Sequence, residues 1–310
     1  MSIGVLIPVF NDWTSLTHLL AGLDDTAPAA GTPLSVLVVD DGSTDRPPPD
    51  LAANAARLGD IRMLSLKANV GHQRAIATGL VELARQGHEA VIIMDGDGED
   101  RPEDVVTLID CHRQHPDRII AARRRKRSES AVFKLFYWAY KLFFRVLTGE
   151  RINFGNFMLI PATALDRITH DVHTPTNLAA AALRSRVPVE GVPTDRGERY
   201  AGTSKMRFSR LVAHGLTAIS VYAEQVAARI LIAGFSLMGF CIIGALAIIA
   251  IRLLTSWAVP GWATYTVVGL FIIFLQTAIL CLMVTLHNPG ARADSRALHT
   301  ALVRDITILK

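Results

Sequence analysis

Two apolar runs toward the C-terminal end constrain this chain more than any other feature. Residues 230–251 and 263–286 carry no charged side chain. Each is long enough to cross the hydrocarbon core as a helix, which takes about 20 residues. Inside lipid every backbone N–H and C=O must be satisfied within the segment, so a single run that enters the bilayer has to be helical. Buried core helices are usually shorter, and both runs are therefore expected to span a membrane. They concentrate the apolar excess of a 310-residue chain whose mean hydropathy is +0.31.

The flanking charges set an expected orientation. The connection from Thr255 to Trp262 has no Lys or Arg, whereas Arg292, Arg296, Arg304 and Lys310 follow the second run. The positive-inside rule then places both termini in the cytoplasm. Trp257 and Trp262 suit the outer interface, and Arg252 at that end can snorkel to the headgroups. The expected location is an inner or plasma membrane, crossed more than once. The first residues pass directly into the strand-like run Ile3-Gly4-Val5-Leu6-Ile7-Pro8, so no signal peptide is expected ahead of the spans. Gly234, Gly239 and Gly244 would let helices approach closely, within the chain or in a homo-oligomer.

The first 125 residues alternate between two patterns. Residues 3–10, 34–41, 61–66, 90–95 and 118–122 are rich in Val, Ile and Leu without clean alternation, as strands buried on both faces are. Residues 12–23, 72–85 and 102–115 read as helices between them, the last opened by Pro102 with Glu103 and Asp104 behind it. This order implies an α/β domain with a mainly parallel sheet covered by helices. Residues 154–160 and 187–192 read as further strands, and 209–221 as a helix leading into the first span.

Residues 132–147 read as an amphipathic helix. Phe133, Phe136, Tyr137, Tyr140, Phe144 and Leu147 recur at helical spacing, and Lys134, Lys141 and Arg145 share another face. Such a helix either packs on a core or lies in a membrane interface. The preceding run Arg123-Arg124-Arg125-Lys126-Arg127 favours the interface, because anionic lipids attract it. The same run is the only argument for nucleic acid in a chain of net charge +4, and no nucleic-acid partner is expected. Cys111, His112 and His115 fit a solvated helix surface better than a zinc site. Cytoplasmic placement disfavours a disulfide at Cys111.

The chemistry concentrates in Asp95-Gly96-Asp97-Gly98-Glu99-Asp100, directly after the apolar run Ala90 to Met94. Three carboxylates at alternate positions repel one another unless a cation lies between them. A hard divalent ion takes oxygen ligands and often shares its shell with substrate phosphates. Ligands of open α/β sheets bind outside the carboxyl ends of the strands, which is where this turn falls. An EF-hand is excluded, since Asp100 replaces its glycine and Val106 its final glutamate. Two other strand-like runs also end in acidic residues, at Phe10-Asn11-Asp12 and at Asp40-Asp41-Gly42-Ser43-Thr44-Asp45. In a parallel sheet these ends line one cleft. The first turn, Val9-Phe10-Asn11-Asp12, has no glycine, which excludes a dinucleotide-binding fingerprint, and there is no Walker A loop.

Ile7-Pro8-Val9-Phe10-Asn11-Asp12, Val39-Asp40-Asp41-Gly42-Ser43-Thr44-Asp45, Asn69-Val70-Gly71 and Asp95-Gly96-Asp97, in this order, resemble the inverting family 2 glycosyltransferases of GT-A fold. Arg196, Arg199 and Gly202-Thr203-Ser204-Lys205 are similar to the Arg-rich segment of the dolichyl- and polyprenyl-phosphate subgroup, whose bacterial form has two terminal spans. The resemblance implies a membrane enzyme that moves a sugar from a UDP- or GDP-linked donor to a lipid phosphate, with Mg²⁺ or Mn²⁺. It implies that Pro8, Phe10 and Asp12 line the nucleotide pocket, and that Asp40 or Asp41 contacts base or ribose. Asp95 would hold the ribose or the metal, and Asp97 the metal, with Glu99 beside it in the ligand set. Arg199 and Lys205 would hold the diphosphate or the acceptor phosphate. Arg123, and Lys134 at the membrane surface, would hold the acceptor phosphate. The implied organisation is a catalytic domain over residues 1–130 and 149–204, and interfacial helices over 131–148 and 205–225. Spans at 226–254 and 263–286 and a cytoplasmic tail over 287–310 complete it. Asp12 stands where the family has Glu, Glu99 where Gln is common, and Asn153-Phe154-Gly155-Asn156-Phe157 replaces a segment that usually differs. A lipid phosphate is already anionic near neutral pH and needs no strong base. A hydroxyl acceptor would need one, from Asp97, Glu99 or Asp100.

Overall fold

The computed structural model describes residues 2–124, 131–201, 215–254, 261–286 and 301–310. The chain divides into two compact units. One comprises Met1–Lys141, Glu150–Val221 and Arg292–Lys310, the other Leu142–Gly149 and Tyr222–Ala291.

The first unit carries strands β1 (Ile3–Val9), β2 (Leu34–Asp40), β3 (Ile61–Leu66), β4 (Ala90–Ile93), β5 (Ile119–Arg124), β6 (Met158–Pro161), β7 (Val189–Thr194) and β8 (Val303–Ile308). Among the described residues they form one sheet in the order β7-β5-β6-β4-β1-β2-β3-β8. β4, β1, β2 and β3 run parallel, as do β5 and β7, while β6 and β8 are antiparallel to their neighbours. The sheet is thus mixed and mostly parallel. Its helices are α1 (Trp13–Ala30), α2 (His72–Gln86), α3 (Pro102–Gln114), α5 (Ala162–His170) and α6 (Leu178–Arg184). Between α3 and α5 in the chain comes α4 (Ala131–Thr148).

Period-two alternation, with both faces covered, explains why β1 to β4 carry no polar face. Val5, Ile7 and Val9 of β1 pack with Leu16, Leu20 and Leu23 of α1 and with Leu108 of α3. Leu6 points to the other face, into a second core with Ile76, Leu80 and Leu83 of α2 and Ile168 of α5. Fully burying one such side chain contributes about 1.5–3 kcal/mol, so both faces must be covered. α2 lies close on the sheet because Gly79 has no Cβ; one there would sit 2.4 Å from Leu6 Cδ1.

Several boundaries differ from the sequence expectation. α1 runs seven residues beyond residue 23, because Asp24 is drawn inward to accept backbone N–H bonds from Arg57 and Leu58. The helix stops at Gly31, whose φ of 60° is left-handed. β6 starts four residues later than expected. The tail holds a strand, although its sequence carries no buried apolar run. β8 pairs along β3, and Lys310 Nζ donates to the carbonyls of Ala55, Ala56 and Leu58 at 2.7 Å each.

α4 forms where the aromatic spacing predicts a helix. Phe144, expected on the interfacial face, is buried and packs edge-on against Tyr222 at 5.9 Å. Among the described side chains of α4, Trp138, Leu142, Phe143 and Val146 are exposed. At Phe144 the aromatic spacing therefore marks a packing position. The expected helix over 209–221 lies outside the described residues up to 214.

The second unit holds α7 (Ala223–Leu254) and α8 (Trp262–Leu286). Both are long and apolar enough to cross a membrane, and in each only 6% of the most apolar window is buried, unlike a soluble core helix. Gly234 brings α7 against Cys281 and Thr277, and Gly244 meets Leu270, so two of the three small residues serve packing within this chain. Gly239 faces open space. Ser236 and Thr277 return their hydroxyls to the carbonyls of Ile232 and Ile273.

Candidate active site

Parallel register brings the acidic strand ends to one edge of the sheet. Val9 pairs with Asp40, and Leu6 with Ile93. Beyond β1, Asn11 takes a left-handed φ of 51° and ties the first two ends together. Its side-chain oxygen accepts from Thr44 N at 2.9 Å and Asp45 N at 3.2 Å, while its own N–H donates to Ser43 Oγ. Asp12 caps α1, accepting from Ser15 N at 3.4 Å. Phe10 is exposed and Pro8 is buried within β1. Asp40 accepts from Ser43 N, and Asp41 accepts from Val70 N at 2.7 Å and Gly71 N at 3.0 Å. Burial pushes the Asp41 carboxyl up despite those bonds and the nearby His72. Gly42 makes this junction tight, since a Cβ there would lie 2.5 Å from the Ala68 carbonyl carbon.

The acidic turn is held from inside by Asp100, which is buried and accepts from Asp95 N at 2.9 Å. Asp95 Oδ1 lies 3.2 Å from His72 Nε2, and Asp97 Oδ1 accepts from Glu99 N. The segment after β7 lies across the turn. Gly197 N donates to Glu99 O at 2.9 Å, and Tyr200 N to Asp97 O at 3.1 Å. Neither glycine at this crossing tolerates a side chain: a Cβ on Gly197 would be 2.2 Å from Gly98 O, and one on Gly98 2.6 Å from the Tyr200 ring. Arg199 reaches Asp97 Oδ2 through Nη2 at 2.6 Å and Glu99 Oε1 through Nε at 2.9 Å. Arg196 also bonds Glu99 Oε1.

Glu99, expected in the ligand set, is buried and accepts from two guanidinium groups on Oε1. Among the described residues no group of three or more His, Cys, Asp or Glu is arranged to hold a metal. Asp95 and Asp97 alone still fit a hard ion that takes one or two carboxylates and completes its shell with substrate phosphates. Their side chains are 35% and 19% exposed, within reach of a ligand.

Sequence reasoning missed His72 and the amides behind it. Leu178 N donates to Gln73 Oε1 at 2.8 Å, which fixes that amide. Gln73 Nε2 then donates to Asn156 Oδ1, leaving Asn156 Nδ2 3.2 Å from His72 Nε2. A protonated Nε2 suits Asp95 and an unprotonated one suits Asn156. Burial works against the charged ring, but the hydrogen bond and charge of Asp95, with Asp41 and Asp100, carry its pKa upward. The signal was adjacent to a recognised motif, because His72 directly follows Asn69-Val70-Gly71.

Of the remaining expected residues, Arg123 lies apart from the acidic turn. Arg123 stands on β5, separated from β4 by β6, and its side chain lies across Gly191 of β7. Among the described residues it has no bond to the acidic turn. Lys205 and the side chain of Lys134 lie outside the described residues.

A mostly parallel sheet with helices on both faces and an acidic turn at its carboxyl edge defines the GT-A class of glycosyltransferase fold. The chain belongs to glycosyl transferase family 2, whose family model matches residues 4–179. It is 29% identical over 173 residues to an uncharacterised glycosyltransferase of Synechocystis, covering 54% of this chain and 52% of that one. It is 27% identical over 219 residues to an undecaprenyl-phosphate 4-deoxy-4-formamido-L-arabinose transferase of Pectobacterium carotovorum, covering 68% and 64%. The chain thus spans about half to two thirds of the length of these relatives. A glucosyl-3-phosphoglycerate synthase of Mycobacterium tuberculosis, solved with Mn²⁺ and UDP, shares the fold at 14% identity. Its TM-score is 0.52 over 73% of this chain and 80% of that one. A mannosyl-3-phosphoglycerate synthase of Rubrobacter xylanophilus does so at 14% identity and a TM-score of 0.52, over 73% and 74%.

Proposed function

We propose that this chain transfers a sugar, with inversion, from a UDP- or GDP-linked donor to a polyprenyl phosphate at the cytoplasmic face of a membrane. The observation that carries this reading is the apposition of Asp97 with Arg199, a carboxylate and a guanidinium 2.6 Å apart at the carboxyl edge of the sheet. Asp40 or Asp41 contacts the donor's base or ribose beside Pro8, Phe10 and Asp12. Asp95 and Asp97 would hold Mg²⁺ or Mn²⁺ against the diphosphate. The ion, when bound, neutralises charge gathering on the departing nucleoside diphosphate. Arg199 supplies planar donors to phosphate oxygens, and Lys205 adds a further cation. Arg123 and Lys134 hold the acceptor phosphate.

A lipid phosphate attacks the anomeric carbon without prior deprotonation, which accords with the site's chemistry. Asp100 and Glu99 are occupied by Asp95 N and by two arginines, and neither is placed as a base. The lipid acceptor is supported by the two apolar helices, by the exposed Trp138 and Phe143 of α4, and by the names of the undecaprenyl-phosphate relatives. The test is a panel of UDP- and GDP-sugars against polyprenyl phosphates, with products identified by mass spectrometry. Appearance of a glycosyl phospholipid supports the reading, and turnover of donors only with acceptors lacking phosphate overturns it.

A further inference from the structure

The end of α4 and the base of the first apolar helix fall in one compact unit, Leu142–Gly149 with Tyr222–Ala291. Arg229 stands in the first turns of α7, and the uncharged run 230–251 begins at the next residue. A charge at that place normally snorkels to lipid headgroups. Here Nη1 of Arg229 donates to Val146 O at 2.6 Å and to Arg145 O at 3.4 Å. α4 ends at Thr148, so these carbonyls lie in its last turn, where the helix runs out of N–H groups. Arg145 O also accepts from Gly149 N at 2.8 Å, and Phe144 O from the Thr148 hydroxyl at 2.7 Å. Gly149 makes the seat for the guanidinium. Its φ of 86° is left-handed, and a Cβ there would lie 2.5 Å from Arg229 Nη2. Phe144, about one turn before the end of the helix, is buried edge-on against Tyr222. Leu142, Phe143 and Val146 are left exposed.

We propose that Arg229 is a positioning residue for the lipid acceptor. By closing the end of α4 it lets that helix end lie at lipid depth, locked to the span, with Leu142, Phe143 and Val146 turned to the acyl chains. A helix end that enters lipid must have its carbonyls satisfied by protein, because no water is there to do so. A guanidinium also suits the negative end of the helix dipole. The fork ties α4 to the residue that marks the edge of the hydrocarbon, so the depth of α4 follows that of the span. An acceptor phosphate is held at headgroup depth by its own prenyl chain, and a fixed α4 sets the level at which the protein meets it. Arg229 acts through α4 and touches neither substrate. This inference rests on the lipid-acceptor reading above.

The test uses the full chain in vesicles of phosphatidylcholine and phosphatidylglycerol, read by fluorescence quenching with lipids brominated near the headgroup or near the chain end. The share of quenching that Trp138→Phe removes reports the depth of α4, since Trp138 lies one helical turn before Leu142 on the same stripe. In wild type that share should come mainly from bromine near the headgroup. In Arg229→Met it should fall about twofold, as a helix no longer tied to the span leaves the interface part of the time. The KM for undecaprenyl phosphate should rise about tenfold, the size of one hydrogen bond to a charged group, with the donor KM unchanged within about twofold. Arg229→Lys should behave as wild type, because an ammonium also serves carbonyls, as Lys310 does in this protein. Gly149→Asn keeps the guanidinium and tolerates a left-handed backbone, but its Cβ takes the seat. It should reproduce both losses, and paired with Arg229→Met it should add nothing. Should Arg229→Met fail to fold, Gly149→Asn measured against Arg229→Lys carries the test. Unchanged quenching in folded Arg229→Met or Gly149→Asn, or losses that add in the pair, would overturn the role of Arg229. Absence of transfer from folded wild type to undecaprenyl phosphate would overturn the lipid-acceptor reading, and the quenching would still decide whether Arg229 seats α4.

Discussion

Nη2 of Arg199 lies 2.6 Å from Oδ2 of Asp97, so a cation from one end of the domain sequence neutralises the carboxylate that the proposed reaction needs most. Replacing Asp97 by Ala should lower sugar transfer by on the order of 10²–10³, the scale of losing a main electrostatic contact to the transition state. Chelation of divalent ions should do the same to wild type. Initial-rate assays with and without EDTA check both.

Arg123 depends on a bare neighbour. A Cβ at Gly191 would fall 1.9 Å from Arg123 Nε, so Gly191→Ala must turn that arginine aside. If Arg123 holds the acceptor phosphate, the KM for the lipid acceptor should rise about tenfold, as for loss of one charged contact. The KM for the donor should stay within twofold, roughly the change of a few tenths of a kcal/mol. Steady-state kinetics with each substrate varied in turn separates the two.

Gly98 is held at a φ of 89° with the Tyr200 ring over it. Gly98→Ala combines backbone strain with a collision at 2.6 Å, and should lift the segment bearing Arg196 and Arg199 off the acidic turn. The expected outcome is faster tryptic cleavage at those arginines and a loss of transfer, with the sheet intact by circular dichroism.

His112 is 4% exposed, and neither ring nitrogen has a hydrogen-bond partner. Burial holds its pKa below 6.5. The folded state therefore resists the proton that the unfolded state accepts, so the cost of burying this residue is smallest above about pH 6.5 and grows as pH falls toward the folded value. His112→Leu should stabilise the protein at pH 8 by about 1–3 kcal/mol, the cost of an unsatisfied buried polar group, and by more at pH 5. Thermal melts at the two pH values check the sign. His88, lowered by burial and by Arg62, should leave the variant with part of the acid dependence.

The legible and illegible parts of this molecule differ in how far apart their partners lie. β1 to β4 were readable because a strand buried on both faces announces itself locally by an unbroken apolar run, and α2 and α3 by their own periodicity. β8 was not readable, since Val303–Ile308 is mostly exposed and takes its structure from pairing with β3, far earlier in the chain. The acidic turn was readable as a site, but the duty of each carboxylate was not. The contacts of Glu99 with Arg196 and Arg199, about a hundred residues on, fall outside any short window. The contact between His72 and Asp95 likewise depends on how the start of α2 meets the end of β4, which no short window contains.

Transfer to a lipid phosphate can be read in a single extraction assay. The full chain is incubated with the labelled nucleotide sugar it accepts, Mn²⁺, and either undecaprenyl phosphate or undecaprenol. Label should pass into the organic phase with the phosphate and stay at background with the alcohol. Equal labelling of the two lipids, or none with the phosphate while another acceptor is glycosylated, would contradict the account.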